Sequence, residues 1–224
     1  MTLSHHPSES LLAAYAAGVL GEGASLIVAA HLTLCPHCRG AVDHLEALGG
    51  ALLEEMAPLA LAEGALDAVL ARLDTPAAPS PTRATASRLP PPMGEAALLP
   101  APLRRHLADP SAATLPWRAI APGIRQIALL PRTAGGGNAH LLKIAPKTAL
   151  PRHGHHGQEY TLVLAGAFQD RSERFARGDV AEVEADRVHQ PITDGQDCLC
   201  LVVTEGPLRY MGMIPRLMQP FTGF

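Results

Sequence analysis

The chain has 224 residues, 47% of them apolar and 17% charged, enough to bury one large core or two small ones. Only 4% are aromatic, so its cores rest on Leu, Ala, Val and Ile, and eleven histidines and four cysteines are left for that composition to explain. The net charge of −3 hides an asymmetry: residues 1–74 hold nine acidic side chains against Arg39 and Arg72, a net of −7, while residues 75–224 carry +4. This balance argues against direct nucleic-acid binding by the N-terminal part and favours a basic protein partner.

The opening residues lack the positive region and apolar stretch of a secretion signal. The most apolar run, 26–34, is broken by His31 and is far shorter than the ~20 residues a membrane span needs. The reading is a cytoplasmic protein with no membrane segment. In such a compartment four cysteines point to metal ligation or redox chemistry more than to a disulfide framework.

The first 74 residues read as about four helices. Ser8 or Ser10 caps the first, which carries Leu11, Tyr15 and Val19 at a spacing of four and ends at Gly18 and Gly21. The second covers 24–34. The third starts at Pro36, where a missing N–H costs nothing, and sets Ala41, Leu45, Leu48 and Leu52 on one face. The fourth follows Gly64 and aligns Leu66, Val69, Leu70 and Leu73. Residues 75–102, rich in Pro, Ala, Ser and Thr and including Pro90, Pro91 and Pro92, read as an extended linker. Beyond it, a short helical piece at 103–108 precedes apolar segments at 124–130, 140–144, 160–164, 180–183 and 198–203, separated by Gly and Pro. Segments of that size predict a β-sandwich or barrel over 103–224. The fold class is therefore α+β in two domains.

His31, Cys35 and Cys38 form H-x3-C-x2-C. One helical turn separates His31 from Cys35, and Cys38 returns from the first turn of the next helix, whose N-terminus favours thiolate. Soft sulfur with imidazole suggests tetrahedral zinc, and a domain this small gains from a structural metal. The fourth ligand is His5 or His6, which spacing does not separate. His37 and His44 read as exposed.

A second constellation contains His153, His155 and Glu159, then Gly166; further on, Gly178 and Asp179 open a segment that reaches His189. His153 and His155 alternate on a strand and so share a face. These residues resemble the cupin family, whose first motif, H-x-H-x3-E-x6-G, is matched in full. Its second motif begins Gly-Asp and reaches a ligand His eleven positions after the Gly; here Glu184 and Asp186 replace its usual Pro and Gly. The resemblance implies a double-stranded β-helix, or jelly-roll, barrel in which His153, His155, Glu159 and His189 hold one divalent metal. Zinc, iron, manganese and nickel all suit that donor set. Cys198 and Cys200 share a strand face and read as core thiols, with an oxidant-sensing pair as the alternative; side chains two apart on a strand diverge too far for an easy disulfide.

A helical H-x3-C-x2-C module, a proline-rich linker and a cupin together resemble the ChrR family of zinc-binding anti-sigma factors. The run from Leu11 to Gly18 (LLAAYAAG) and the closing stretch 202–224 carry the likeness further. The resemblance implies that His6 completes the N-terminal zinc set. It also implies that residues 1–74 bind an extracytoplasmic-function sigma factor, and that the cupin is needed for its release under singlet oxygen or organic peroxide stress. The principal rival is a metal-dependent dioxygenase-type cupin enzyme, which needs an open coordination position and a substrate pocket. A DNA-binding zinc module with a sugar-sensing cupin conflicts with the acidic first domain.

Overall fold

Ser8 begins the regular structure: its hydroxyl accepts the Leu11 N–H at 3.3 Å, satisfying one of the donors that a helix start leaves open. The computed structural model describes residues 3–73, 94–107, 109, 114–131, 137–185 and 187–211. Helix α1 (Glu9–Ala16) stops where Gly18 takes a φ of +69°. Val19, expected on its apolar stripe, therefore lies past the helix and is exposed.

Helix α2 (Glu22–Leu32) buries Leu26, Ile27, Val28, Ala30 and His31, so it is enclosed on more than one side. It begins and ends two residues earlier than its sequence predicts. The Leu34 and Cys35 N–H groups both donate to the His31 carbonyl, at 2.8 and 2.9 Å, and turn the chain sharply. Cys35 then caps helix α3 (Pro36–Glu54), with Pro36 in the first turn as expected.

Only the first half of α3 meets a core. Cys38 and Val42 are buried, whereas Leu48 and Leu52, on the predicted apolar face, are exposed. Helix α4 (Ala65–Leu73) starts where predicted and buries none of its residues.

The predicted linker falls mostly outside the described residues, but its last part does not behave as a linker. Residues Gly94–Leu98 form a 3₁₀ turn and α5 (Ala101–Arg104) follows, burying Ala96, Leu99 and Leu103. Glu95 fastens this segment by accepting from Trp117 Nε1 at 2.7 Å and Lys143 Nζ at 2.6 Å. The Lys143 ammonium beside Glu95 holds that carboxyl below its ordinary range.

The C-terminal part is a sandwich of eleven strands among the described residues: β1 (Arg118–Ala121), β2 (Ile124–Leu130), β3 (Asn138–Ile144), β4 (His153–His155), β5 (Glu159–Ala165), β6 (Ala167–Asp170), β7 (Glu173–Ala176), β8 (Val180–Val183), β9 (Ile192–Thr193), β10 (Cys198–Thr204) and β11 (Leu208–Tyr210). One sheet runs β1-β2-β3-β10-β5-β8 with antiparallel neighbours. Facing it are β7-β6-β9 and β11-β4, and the chain leading into β9 forms an isolated bridge to β4 between His189 and His153. All five apolar segments read from the sequence are strands; the β6–β7 hairpin, turning on Arg171 at a φ of +57°, was hidden by its charged residues.

Sequence reading separates two modules, yet the structure joins them. Helix α2 lies on β10 and β5, and a single hydrophobic cluster runs from Ile27 and Ala30 to Leu103, Leu162 and Val203. Gly23 permits the approach, since a Cβ there would meet Val203 Cγ1 at 2.7 Å.

Candidate metal centres and an exposed apolar face

His6, His31, Cys35 and Cys38 come together, each offering one ligand atom, all within 4.8 Å of one another. His6 Nδ1 stands 3.4 Å from Cys35 Sγ and 3.3 Å from Cys38 Sγ. The edge of a tetrahedron with Zn–S near 2.3 Å and Zn–N near 2.0–2.1 Å is roughly 3.5 Å, so these spacings suit one small cation at the centre. His5 turns the other way: its ring packs 4.3 Å from Phe175 and its Nδ1 lies 3.5 Å from Asp179 Oδ2. The geometry thus separates the two histidines that spacing could not. His37 and His44 are exposed, as read.

The protonation pattern agrees with a metal position. His31 Nδ1–H donates to the Gly178 carbonyl at 2.8 Å, which leaves Nε2 as the lone-pair nitrogen. That atom is buried without a hydrogen-bond partner, and burial holds the His31 pKa below its ordinary value. Burial, with the hydrogen bond to Cys35, pushes the Cys38 thiol up to about 12. A thiol so raised ionises at neutral pH when a cation offsets the thiolate charge.

The second cluster is His153, His155, Glu159 and His189, all buried. The β4 alternation directs His153 and His155 inward, Glu159 opens β5 on the facing sheet, and His189 lies across from His153. His189 Nε2 is 3.1 Å from both His155 Nε2 and His153 Nε2. Glu159 Oε2 lies 3.3 Å from His155 Nε2 and 3.6 Å from His153 Nε2, with Oε1 3.7 Å from His189 Nε2. Burial alone would raise the Glu159 carboxyl, but its hydrogen bonds with His153 and His155 outweigh that and hold it well below the usual range. His153 responds in kind: burial lowers it and Glu159 raises it further.

Outer contacts orient two of the imidazoles. His153 Nδ1–H donates to the Pro151 carbonyl at 2.7 Å and His189 Nδ1–H to Asp170 Oδ2 at 2.8 Å. Both rings then present Nε2 to the centre, as metal-binding histidines commonly require. Asp170 was not singled out in the sequence; it sits at the end of β6, 19 residues from His189, and no local spacing marks it. Gly166 supports the motif differently. Its φ is +73°, and a Cβ would strike the Asp197 carbonyl oxygen, so only glycine turns β5 into β6 there. Glu184 follows β8 directly and Asp186 lies outside the described residues.

A cavity of about 370 Å³ opens on this cluster. His153, Glu159 and His189 form its polar end, and Leu142, Phe168 and Val202 are among its apolar walls. Cys200 lines it too, with its sulfur 3.4 Å from Cys198 Sγ, so the divergence expected of these side chains does not occur. Both cysteines are buried, and the Cys198 contact together with burial raises the Cys200 thiol pKa.

The N-terminal module also presents an apolar face. Leu52, Leu53 and Met56 on or just after α3, and Leu66, Val69 and Leu73 on α4, are exposed. Among the described residues no helix is long and apolar enough to cross a membrane.

Residues 106–209 match the family described as the ChrR cupin-like domain. Over 223 residues the chain is 45% identical to the anti-sigma-E factor ChrR of Cereibacter sphaeroides, with 99% of each protein covered. It is also similar to the crystal structure of Rhodobacter sphaeroides SigE in complex with the anti-sigma ChrR, at a TM-score of 0.71 and 42% identity, covering 91% of this chain and 100% of that one.

Proposed function

Because the chain belongs to the ChrR family of anti-sigma factors, we propose that it holds an extracytoplasmic-function sigma factor inactive through its N-terminal module and releases it under oxidative stress registered by the cupin. The observation that carries this reading is the exposed apolar face of α3 and α4 on a module of charge −7. Large apolar side chains left exposed in such number mark a protein-binding site, and the acidic charge of the module complements a basic, nucleic-acid-binding partner. The similar solved structure is itself a complex between SigE and ChrR.

In this reading His6, His31, Cys35 and Cys38 hold structural zinc, for which two thiolates and two imidazoles are a fitting donor set. His153, His155, Glu159 and His189 hold zinc or another divalent metal, and the adjoining cavity gives a signal molecule access to it. The inducing stress is of the singlet-oxygen or organic-peroxide type, and the protein acts in the cytoplasm as a regulator, not an enzyme. Inhibition follows from steric exclusion: sigma surfaces pressed against α3 and α4 are withheld from RNA polymerase.

The test is competition. Purified full chain, added to an extracytoplasmic-function sigma factor from the same organism, should prevent its binding to core RNA polymerase at equimolar ratio. A sigma factor that still binds core polymerase in a large excess of the chain would sink the proposal. A second reading, a dioxygenase-type cupin enzyme, draws on the apolar cavity beside the metal cluster. Oxygen consumption by the iron-loaded chain with small diketones would favour it.

A further inference from the structure

The two metal clusters are held by common parts. The turn between β7 and β8, formed by Gly178 and Asp179, grips the N-terminal centre from the cupin side at two points. The Gly178 carbonyl receives the His31 Nδ1–H at 2.8 Å. Asp179 Oδ1 accepts the backbone N–H groups of Ser4 at 2.8 Å and His5 at 3.1 Å. Immediately beyond, the Val180 N–H donates to the His5 carbonyl at 3.1 Å. Glu182, further along β8, accepts from the Ser8 N–H at 2.6 Å and the Ser8 hydroxyl at 3.0 Å. His6 is therefore suspended between two stretches of chain that the cupin holds down.

Burial makes this grip more than a surface contact. Asp179 is 3% exposed. Its carboxyl is driven up by burial but pulled below the ordinary range by the Ala176, His5 and Ser4 N–H groups. Gly178, at a φ of +93°, has Leu3 packed where a Cβ would stand.

The same turn is bonded to the strand that begins with Glu159. Gly178 N–H donates to the Val163 carbonyl at 2.8 Å, and Val163 N–H donates to the Asp179 carbonyl at 3.1 Å. Val163 lies four residues beyond Glu159 on β5. Backbone hydrogen bonds alone thus connect β5, which Glu159 begins, to the turn whose groups contact His31 and the chain before His6.

We propose that the Gly178–Asp179 turn of the cupin is the outer coordination sphere of the N-terminal metal centre, with Asp179 as its positioning residue, so that metal retention in the first module depends on cupin docking. This rests on the metal reading of His6, His31, Cys35 and Cys38. Outer partners that fix ligand orientation typically contribute about 10–100-fold to metal affinity. Coupling of this kind is reciprocal, so metal in either centre strengthens the docking that favours the other.

Cobalt(II) substitution of the full chain tests it. Only the N-terminal cluster contains thiolates, so thiolate-to-cobalt charge-transfer absorbance reports that centre alone. Asp179→Ala should weaken cobalt binding there by roughly 10–100-fold in chelator competition, and Asp179→Asn, which keeps an acceptor for Ser4 and His5, should restore part of it. Glu182→Ala leaves the Asp179 contact with Ala176 untouched and should weaken binding by a smaller factor. It decides the matter if Asp179→Ala unfolds the cupin by circular dichroism. Wild-type affinity in all three variants overturns this proposal alone. Absence of the thiolate–cobalt band in the wild-type chain overturns the metal reading and the proposal with it.

Discussion

The two four-residue clusters differ in how their donor atoms are carried. In the cupin, His153, His155 and Glu159 stand on β4 and β5, and Asp170 and Pro151 fix the outer nitrogens of His189 and His153. Sheet hydrogen bonds place those donors whatever occupies the centre. In the N-terminal cluster, His6 precedes α1, His31 is in the last turn of α2, and Cys35 and Cys38 begin α3. Three separate pieces of chain meet there, one of them carrying both sulfurs, and burial raises the Cys38 thiol, which favours its neutral form until a cation arrives. The first arrangement suits a preformed site that can register a ligand without unfolding. The second suits a metal that is part of the fold.

That contrast is broken most severely by Cys35→Ser or Cys38→Ser. A structural zinc contributes on the order of 10 kcal/mol to small domains, so either substitution should remove the N-terminal metal and partner binding together, read by metal analysis and co-purification. Loss of one without the other would separate the metal from the binding surface. Next in size is the double change Leu52→Asp with Leu70→Asp on the exposed face. Affinity for the sigma factor should fall about 100-fold, the scale of a lost interface hot spot, with the thiolate–cobalt spectrum unchanged.

His189→Ala sharpens the comparison from the other side. The cupin metal should be lost while sigma affinity stays within about tenfold of wild type, the size expected of coupling between distinct sites. The transcriptional response to oxidant should be blunted in cells carrying it. If inhibition itself disappeared, the assignment of binding to one module and sensing to the other would be wrong. The smallest change is Asp170→Asn, which keeps the His189 ligand but alters its outer partner. Cupin metal affinity should drop by roughly 10-fold, measured by competition with a chromogenic chelator, and sigma binding should not move.

Much of this was legible in advance because the clues were local. Pro36 opening α3, the two-residue alternation of His153 and His155, and the apolar runs of β2, β5, β8 and β10 each carry their geometry within a few residues. The unreadable parts come from distant chain. Nothing near His31 announces that a carbonyl 147 residues away will fix its tautomer, and nothing near His189 points to Asp170. His6 was distinguished from His5 only by resemblance, since the cause of the difference, Asp179 and Phe175 drawing His5 aside, is tertiary. The predicted linker ran too far for a related reason. Ala and Pro between 94 and 102 look like spacer composition, yet Ala96 and Leu99 join the core because Glu95 is held by Trp117 and Lys143. The apolar residues of α3 and α4 were picked out in advance, but periodicity does not tell a face that meets a core from one left exposed.

The most direct test of the central claim is co-expression of the full chain with an extracytoplasmic-function sigma factor of the same organism, followed by co-purification and metal quantification on wild type and Cys38→Ser side by side. The account predicts a one-to-one complex containing zinc for wild type and none for Cys38→Ser. A folded, zinc-loaded wild-type chain that leaves the sigma factor uncaptured, or a Cys38→Ser chain that still captures it, would contradict it.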